Sequence, residues 1–146
     1  MEKTIIAIDP GTKHWGITIF KGKDIVFLSV KSFSTRGSAK QRTKVAKLVF
    51  LSLFDKYVPD ILVIEKPFAF WIKQSKFLIK IIEEIKNSAR MQRMKVCEYL
   101  PETVRKTVCN DDSASKTEMA EIICSTTYYP DLKAFLRPKR IFRKNY

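Results

Sequence analysis

The sequence predicts an α/β fold, a mixed five-stranded sheet of three antiparallel strands plus two parallel ones, flanked by helices. Three observations predict it. Residues 4–30 hold three β-rich runs separated by short turns, the pattern of an antiparallel meander. Two later strand-like runs, Ile61–Ile64 and Lys95–Tyr99, alternate with stretches of helical periodicity, as parallel strands joined by helical crossovers do. The runs Thr4–Ile8 and Ile61–Ile64 are also continuously uncharged rather than alternating, which suits strands covered on both faces.

The totals bound the answer. A chain of 146 residues carries one ordinary domain with a proper core, so residues 1–146 are expected to form a single domain with a basic tail from about 133. The composition is globular, 45% hydrophobic and 29% charged, and the unusual figure is a net charge of +13. An excess of that size suggests a polyanionic partner, nucleic acid before an anionic membrane, since no basic amphipathic anchor or acylation motif is present. Cys97, Cys109 and Cys124 are odd in number and lack any C-x-x-C or Cys/His pairing. Neither a zinc site nor a disulfide framework is indicated, and buried thiols in a reducing compartment are expected. No apolar run approaches the ~18 residues of a membrane span, so the expectation is a soluble intracellular protein.

Thr4–Ile8 runs into Asp9, then Pro10-Gly11, and a second β-rich run, Trp15–Phe20, returns. Asp9 has two readings. It starts the Pro-Gly turn, or it is a strand-end carboxylate held rigidly enough to bind a metal ion. Lys21-Gly22-Lys23-Asp24 suits a hairpin turn into Ile25–Val30. Ser38 can cap the helix that follows, whose Ala46, Val49, Phe50, Leu53 and Tyr57 share one apolar face. Lys40, Lys44 and Lys47 share another, either a wet face or a row of phosphate contacts. Pro59-Asp60 ends that helix. Ile61–Ile64 then closes on Glu65 and Pro67, repeating the first strand: an apolar run, one carboxylate at its C-terminal end, a proline that stops the ladder. If the two strands are parallel neighbours, Asp9 and Glu65 reach one ion, because the carboxyl ends of adjacent parallel strands open on one sheet edge. Phe68-Ala69-Phe70-Trp71 is either core packing or a stacking surface for exposed bases. A helix from about Ile72 to Met94 carries Leu78, Ile82, Ile85 and Ala89 on one stripe, widened by Ile79 and Ile81, which would suit a second chain as well as the sheet. Lys95–Tyr99 is a short strand, Pro101 opens a helix, and Ser115 with Glu118 has capping-box spacing for a last helix carrying Met119, Ile122 and Ile123 inward. Capping does not account for Lys116 in that helix's first turn. Beyond Asp131 the chain has no acid and six Lys or Arg residues.

This order, with Asp on the first strand and Glu on the fourth, resembles the RNase H-like superfamily. Ile5-Ala-Ile-Asp-Pro-Gly-Thr-Lys13 with Gly16, and Val63-Ile-Glu-Lys-Pro-Phe68, are similar to the two signature blocks of RuvC-type Holliday junction resolvases. Glu98-Tyr99, Thr103–Val108 and Ala114–Met119 resemble a third. The resemblance implies Asp9 and Glu65 as metal-binding carboxylates, Phe68 as an aromatic that helps open the junction centre, and Arg105 and Lys116 as basic residues near the scissile phosphate. It further implies a homodimer acting on branched DNA, with Mg2+ as cofactor, Mn2+ as a substitute, and two-metal hydrolysis as the chemistry.

One departure stands. The family's remaining carboxylates sit at the start of a final helix, and nothing after Lys133 matches them; Asp131 is a poor match in spacing and neighbours. Three readings remain open: a sequence shorter than the natural product, a binding protein that has lost part of its site, or Asp131 recruited as a ligand from an unusual register. The first is the expectation. Two rivals share the pattern, a non-catalytic junction-binding dimer and a YqgF-like RNA-processing nuclease; the aromatic block after Glu65 and the Arg105/Lys116 pair favour the resolvase.

Overall fold

Five strands form one sheet in the computed structural model, which describes residues 1–67, 75–125 and 128–135. They are β1 (Thr4–Pro10), β2 (His14–Lys21), β3 (Asp24–Ser32), β4 (Ile61–Glu65) and β5 (Lys95–Tyr99). Helix α1 (Ala39–Tyr57) joins β3 to β4, and α2 (Lys76–Met91) lies between β4 and β5. The sheet order is β3-β2-β1-β4-β5, with β1, β2 and β3 antiparallel and β4 parallel to both β1 and β5. The expected mixed sheet is present, and its strands begin or end within two residues of the runs that predict them.

Pleating sorts the strand residues onto two faces. Ile6, Ile8, Trp15, Ile17, Ile19, Leu62 and Ile64 point one way and are buried under α1 and α2. From α1 come Ala46, Phe50 and Leu53; from α2 come Ile81, Ile82, Ile85 and Ala89. Each fully buried Ile, Leu or Phe contributes on the order of 1.5–3 kcal/mol, so this one layer sets the register of the strands against the helices. On the edge strand β3, Val26, Leu28 and Val30 face the opposite way and are 44%, 47% and 69% exposed.

Ser38 caps α1 in a full capping box with Gln41, and Val58 closes it in a left-handed conformation, φ 46°. The helix expected from about Ile72 to Met94 is shorter at its C-terminal end. It stops at Met91 because Arg93 takes φ 60°, and the turn delivers Met94 into the core. Residues 72–74 lie outside the described set. The exposed residues of α2, among them Lys76, Lys80, Glu83, Asn87 and Arg90, are polar except for Met91.

The chain divides into two compact units, Met1–Pro101 and Glu102–Tyr146. In the second, α3 (Pro101–Cys109), α4 (Lys116–Ile123) and a 3-10 turn (Pro130–Phe135) appear in that order. Ser115 and Glu118 form the expected capping box, while Met119, Ile122 and Ile123 are half-buried. The three thiols are free; Cys124 is buried, Cys97 and Cys109 half-buried. No helix among the described residues is long and apolar enough to cross a membrane.

Candidate active site

The two strand-end acids come together. β1 and β4 are hydrogen-bonded parallel neighbours with Ile8 opposite Ile64, so Asp9 and Glu65 occupy the next position on each strand. Alternation turns both away from the helix-covered face to which Ile8 and Ile64 belong. Asp9 is exposed and Glu65 half-buried. On the other flank of β1, Asp9 pairs with Gly16, where an added Cβ would stand 3.6 Å from the Asp9 Cβ. The missing side chain leaves that side of the carboxylate open.

The turn behind Asp9 is pinned at three consecutive carbonyls. Trp15 Nε1–H donates to the Gly11 carbonyl (3.1 Å), Arg42 Nη2–H to the Thr12 carbonyl (2.8 Å), and Phe33 N–H to the Lys13 carbonyl (2.8 Å). Gly11 is required sterically, since a Cβ there would lie 2.6 Å from the His14 carbonyl oxygen. The end of β4 is fixed as well: Lys66 N–H donates to the Tyr99 carbonyl (2.9 Å) and Glu65 sits opposite Tyr99 in the ladder. Next to it on β5, Glu98 binds the buried Lys86 ammonium at 2.9 Å, and Glu83 binds the same group at 2.7 Å. Burial pushes the Lys86 pKa down, but the two carboxylates outweigh it and hold it above the ordinary lysine value.

The donor set can be tested against a cation. Mg2+ commonly takes one or two protein carboxylates and completes its shell with water and substrate phosphate, a donor set to which a rigidly held Asp/Glu pair is suited. Among the described residues no three His, Cys, Asp or Glu side chains gather into a metal cluster. The described carboxylates therefore fit one such ion rather than two.

The lysines of α1 face a groove of about 350 Å3 to which α2 adds Lys80 and Glu84. Lys47 is engaged there by Glu84 at 3.7 Å; Lys40, Lys44 and Lys80 line the rest. Lys80 and Arg42 are the positions that pattern alone missed, because their relevance appears only once α1 and α2 lie side by side.

In the second unit Arg105 is half-buried on α3, with a long contact from Nη1 to the Asp112 carbonyl (3.5 Å). Lys116 is exposed at the first position of α4. A cation at a helix N-terminus opposes the dipole by ~0.3–1 kcal/mol, so capping and stability give no reason for a lysine at that position. Asp131 is exposed in the 3-10 turn. Burial pushes the Cys109 thiol up, as do the charges of Glu118 and Asp111, which makes it a poor nucleophile. Phe68, the aromatic block after it and the basic tail from 136 lie outside the described residues.

The comparisons with known proteins agree with one another. The family model described as crossover junction endodeoxyribonuclease RuvC matches residues 5–133. The enzyme of that name from Christiangramia forsetii is 28% identical over 130 residues, covering 85% of this chain and 67% of the relative. The one from Prochlorococcus marinus is 27% identical over 126 residues, covering 82% and 78%. Among solved structures, Thermus thermophilus RuvC in complex with Holliday junction substrate superposes with a TM-score of 0.73 at 20% identity, over 84% of this chain and 78% of that one. The yeast mitochondrial Holliday junction resolvase Ydc2 gives 0.62 at 12% identity, over 82% and 60%. These structural likenesses carry the fold, and the family model, matched over most of the chain, carries the family.

Proposed function

The chain belongs to the RuvC family of crossover junction endodeoxyribonucleases, and from that membership we propose that it resolves four-way DNA junctions by divalent-metal-dependent phosphodiester hydrolysis centred on Asp9 and Glu65. The observation that carries the site is the parallel register of β1 and β4, which sets two acids of otherwise apolar strands side by side at one edge. A cation bound there would lower the pKa of a coordinated water and neutralise charge on the phosphate under attack.

The chain's own groups supply the rest. Asp9 and Glu65 would hold the ion, and the hydrogen bonds that pin the backbone around them would keep the two carboxylates in place. Arg105 and Lys116 are proposed to meet phosphates near the scissile bond, Lys116 as the residue closest to the chemistry. Lys40 and Lys44 are proposed to contact a DNA arm, with Lys47 available once its pair with Glu84 opens. Phe68 is proposed to stack on bases at the junction centre, and Asp131 remains a weaker metal-ligand candidate. Mg2+ is the proposed ion, with Mn2+ able to substitute, and a homodimer is the proposed form, since two symmetric nicks need two sites.

The test is a nicking assay on a four-way junction with Asp9→Asn, Glu65→Gln, Lys116→Ala and Asp131→Asn, each checked for junction binding in EDTA. The first two should lose cleavage by at least ~100-fold with binding retained, and Lys116→Ala should lose ~10–100-fold. Normal cleavage by Asp9→Asn would sink the metal-site reading. Loss of cleavage in Asp131→Asn alone would move the ligand set to the second unit.

A further inference from the structure

Arg42 holds three separate segments around the turn that follows Asp9. Its Nη2–H donates to the Thr12 carbonyl (2.8 Å), its Nε–H to the Ser34 carbonyl (3.2 Å), and its guanidinium lies 4.0 Å over the Phe77 ring. Thr12 belongs to the β1–β2 turn, Ser34 to the β3–α1 connection and Phe77 to the first turn of α2, the helix that follows Glu65 in the chain. We infer that Arg42 is a positioning residue for the metal-holding edge, fixing the Asp9 turn and tying it to the start of α2. The inference rests on the reading of Asp9 as a metal ligand.

The chemistry favours arginine here for a definite reason. A planar fork can serve two carbonyls on different segments while its face stacks on an aromatic ring, and a lysine ammonium, a point charge on a flexible stem, cannot do both at once. Of the three groups that pin carbonyls 11–13, Trp15 and Phe33 come from the adjoining strand β2 and from the residue just after β3. Of these three, Arg42 is the one that links the turn to the helical layer. Losing it frees the turn that follows Asp9 to move relative to α2 while β1 and β4 stay paired, and the Asp9 carboxylate then stands on a looser support at the end of its strand.

The experiment measures Mn2+ binding by calorimetry in the full chain, with Arg42→Lys, Arg42→Met, Phe77→Leu and Asp9→Asn beside the wild type. Amide exchange of residues 11–13 is followed in the metal-free proteins. Arg42→Lys should fold, exchange faster in the turn, and bind Mn2+ about tenfold more weakly, the lower end of the usual outer-shell effect. Phe77→Leu, which keeps both hydrogen bonds, should weaken binding less than Arg42→Lys. Should Arg42→Met fail to fold, Arg42→Lys and Phe77→Leu still decide. Unchanged Mn2+ affinity in a folded Arg42→Lys overturns the inference. Unchanged affinity in Asp9→Asn overturns the metal-site reading itself, and with it the role of Arg42, through a variant that leaves Arg42 intact.

Discussion

Single residues differ in how openly they declare their roles. Asp9 and Glu65 are legible because a carboxylate at the end of an uncharged run, with a proline close behind, has no apolar work to do there. Arg42 gives no such sign. Its three partners lie 30, 8 and 35 positions away in the chain, on the β1–β2 turn, the β3–α1 connection and α2, and only the folded chain brings all three to it. Lys86 is similar: it sits in the middle of an apolar helix stripe and becomes a buried cation between Glu83 and Glu98 only after β5 docks. Lys86→Met should cost about 2 kcal/mol in chemical denaturation, because it leaves two carboxylates facing one another without their cation. Its folded pKa is raised, so the stabilisation is fully present below the unfolded lysine value and is lost only as pH rises through the folded one. Between pH 7 and 9 the wild-type and Lys86→Met stabilities should run parallel, and convergence inside that window would contradict the pairing.

At the level of elements, apolar runs and stripes located the strands and the first two helices, proline and capping signals located α3 and α4, the 3-10 turn Pro130–Phe135 gave no such sign, and a boundary moved where backbone conformation rather than burial set it. The end of α2 is one case, decided by the left-handed Arg93. The end of α1 falls where Pro59-Asp60 puts it, and there Val58, a β-branched residue two-thirds exposed, adopts φ 46°. With two-thirds of the side chain in solvent, burial offsets little of that strain, and Val58→Gly should raise stability by about 1 kcal/mol, read as a higher denaturation midpoint with unchanged slope. Asp60 closes the same crossover. Its carboxylate accepts the Thr4 N–H (2.8 Å) and an ion pair from Lys3 (3.4 Å), clamping the start of β1 beside β4. The Thr4 hydrogen bond holds its pKa below the usual aspartate value. A depressed carboxylate stabilises above its unfolded pKa and stops doing so as pH falls through the folded one. Asp60→Asn should therefore flatten the acid limb of the stability curve below about pH 4 and leave the neutral region shifted by a constant amount.

For the whole molecule, charge predicts the partner's sign more directly than any motif, and family membership then supplies its shape. Junction affinity should fall steeply with added salt, and Lys40→Gln with Lys44→Gln should each reduce the log–log slope by up to about 0.9 if both meet phosphate. An unaltered slope in the double variant would make that row a solvated face. The aromatic block and the tail stay readable only as sequence, since neither lies among the described residues. The exposed valines and leucine of β3 matter for a different reason, at high protein concentration. A strand outermost among those described, with three exposed apolar side chains on one face, is a template for irregular stacking, and like-charge repulsion between copies at +13 is the main force against it. Stock solutions that look stable in low salt should turn cloudy as salt screens that repulsion, and a single Val30→Lys should keep them clear.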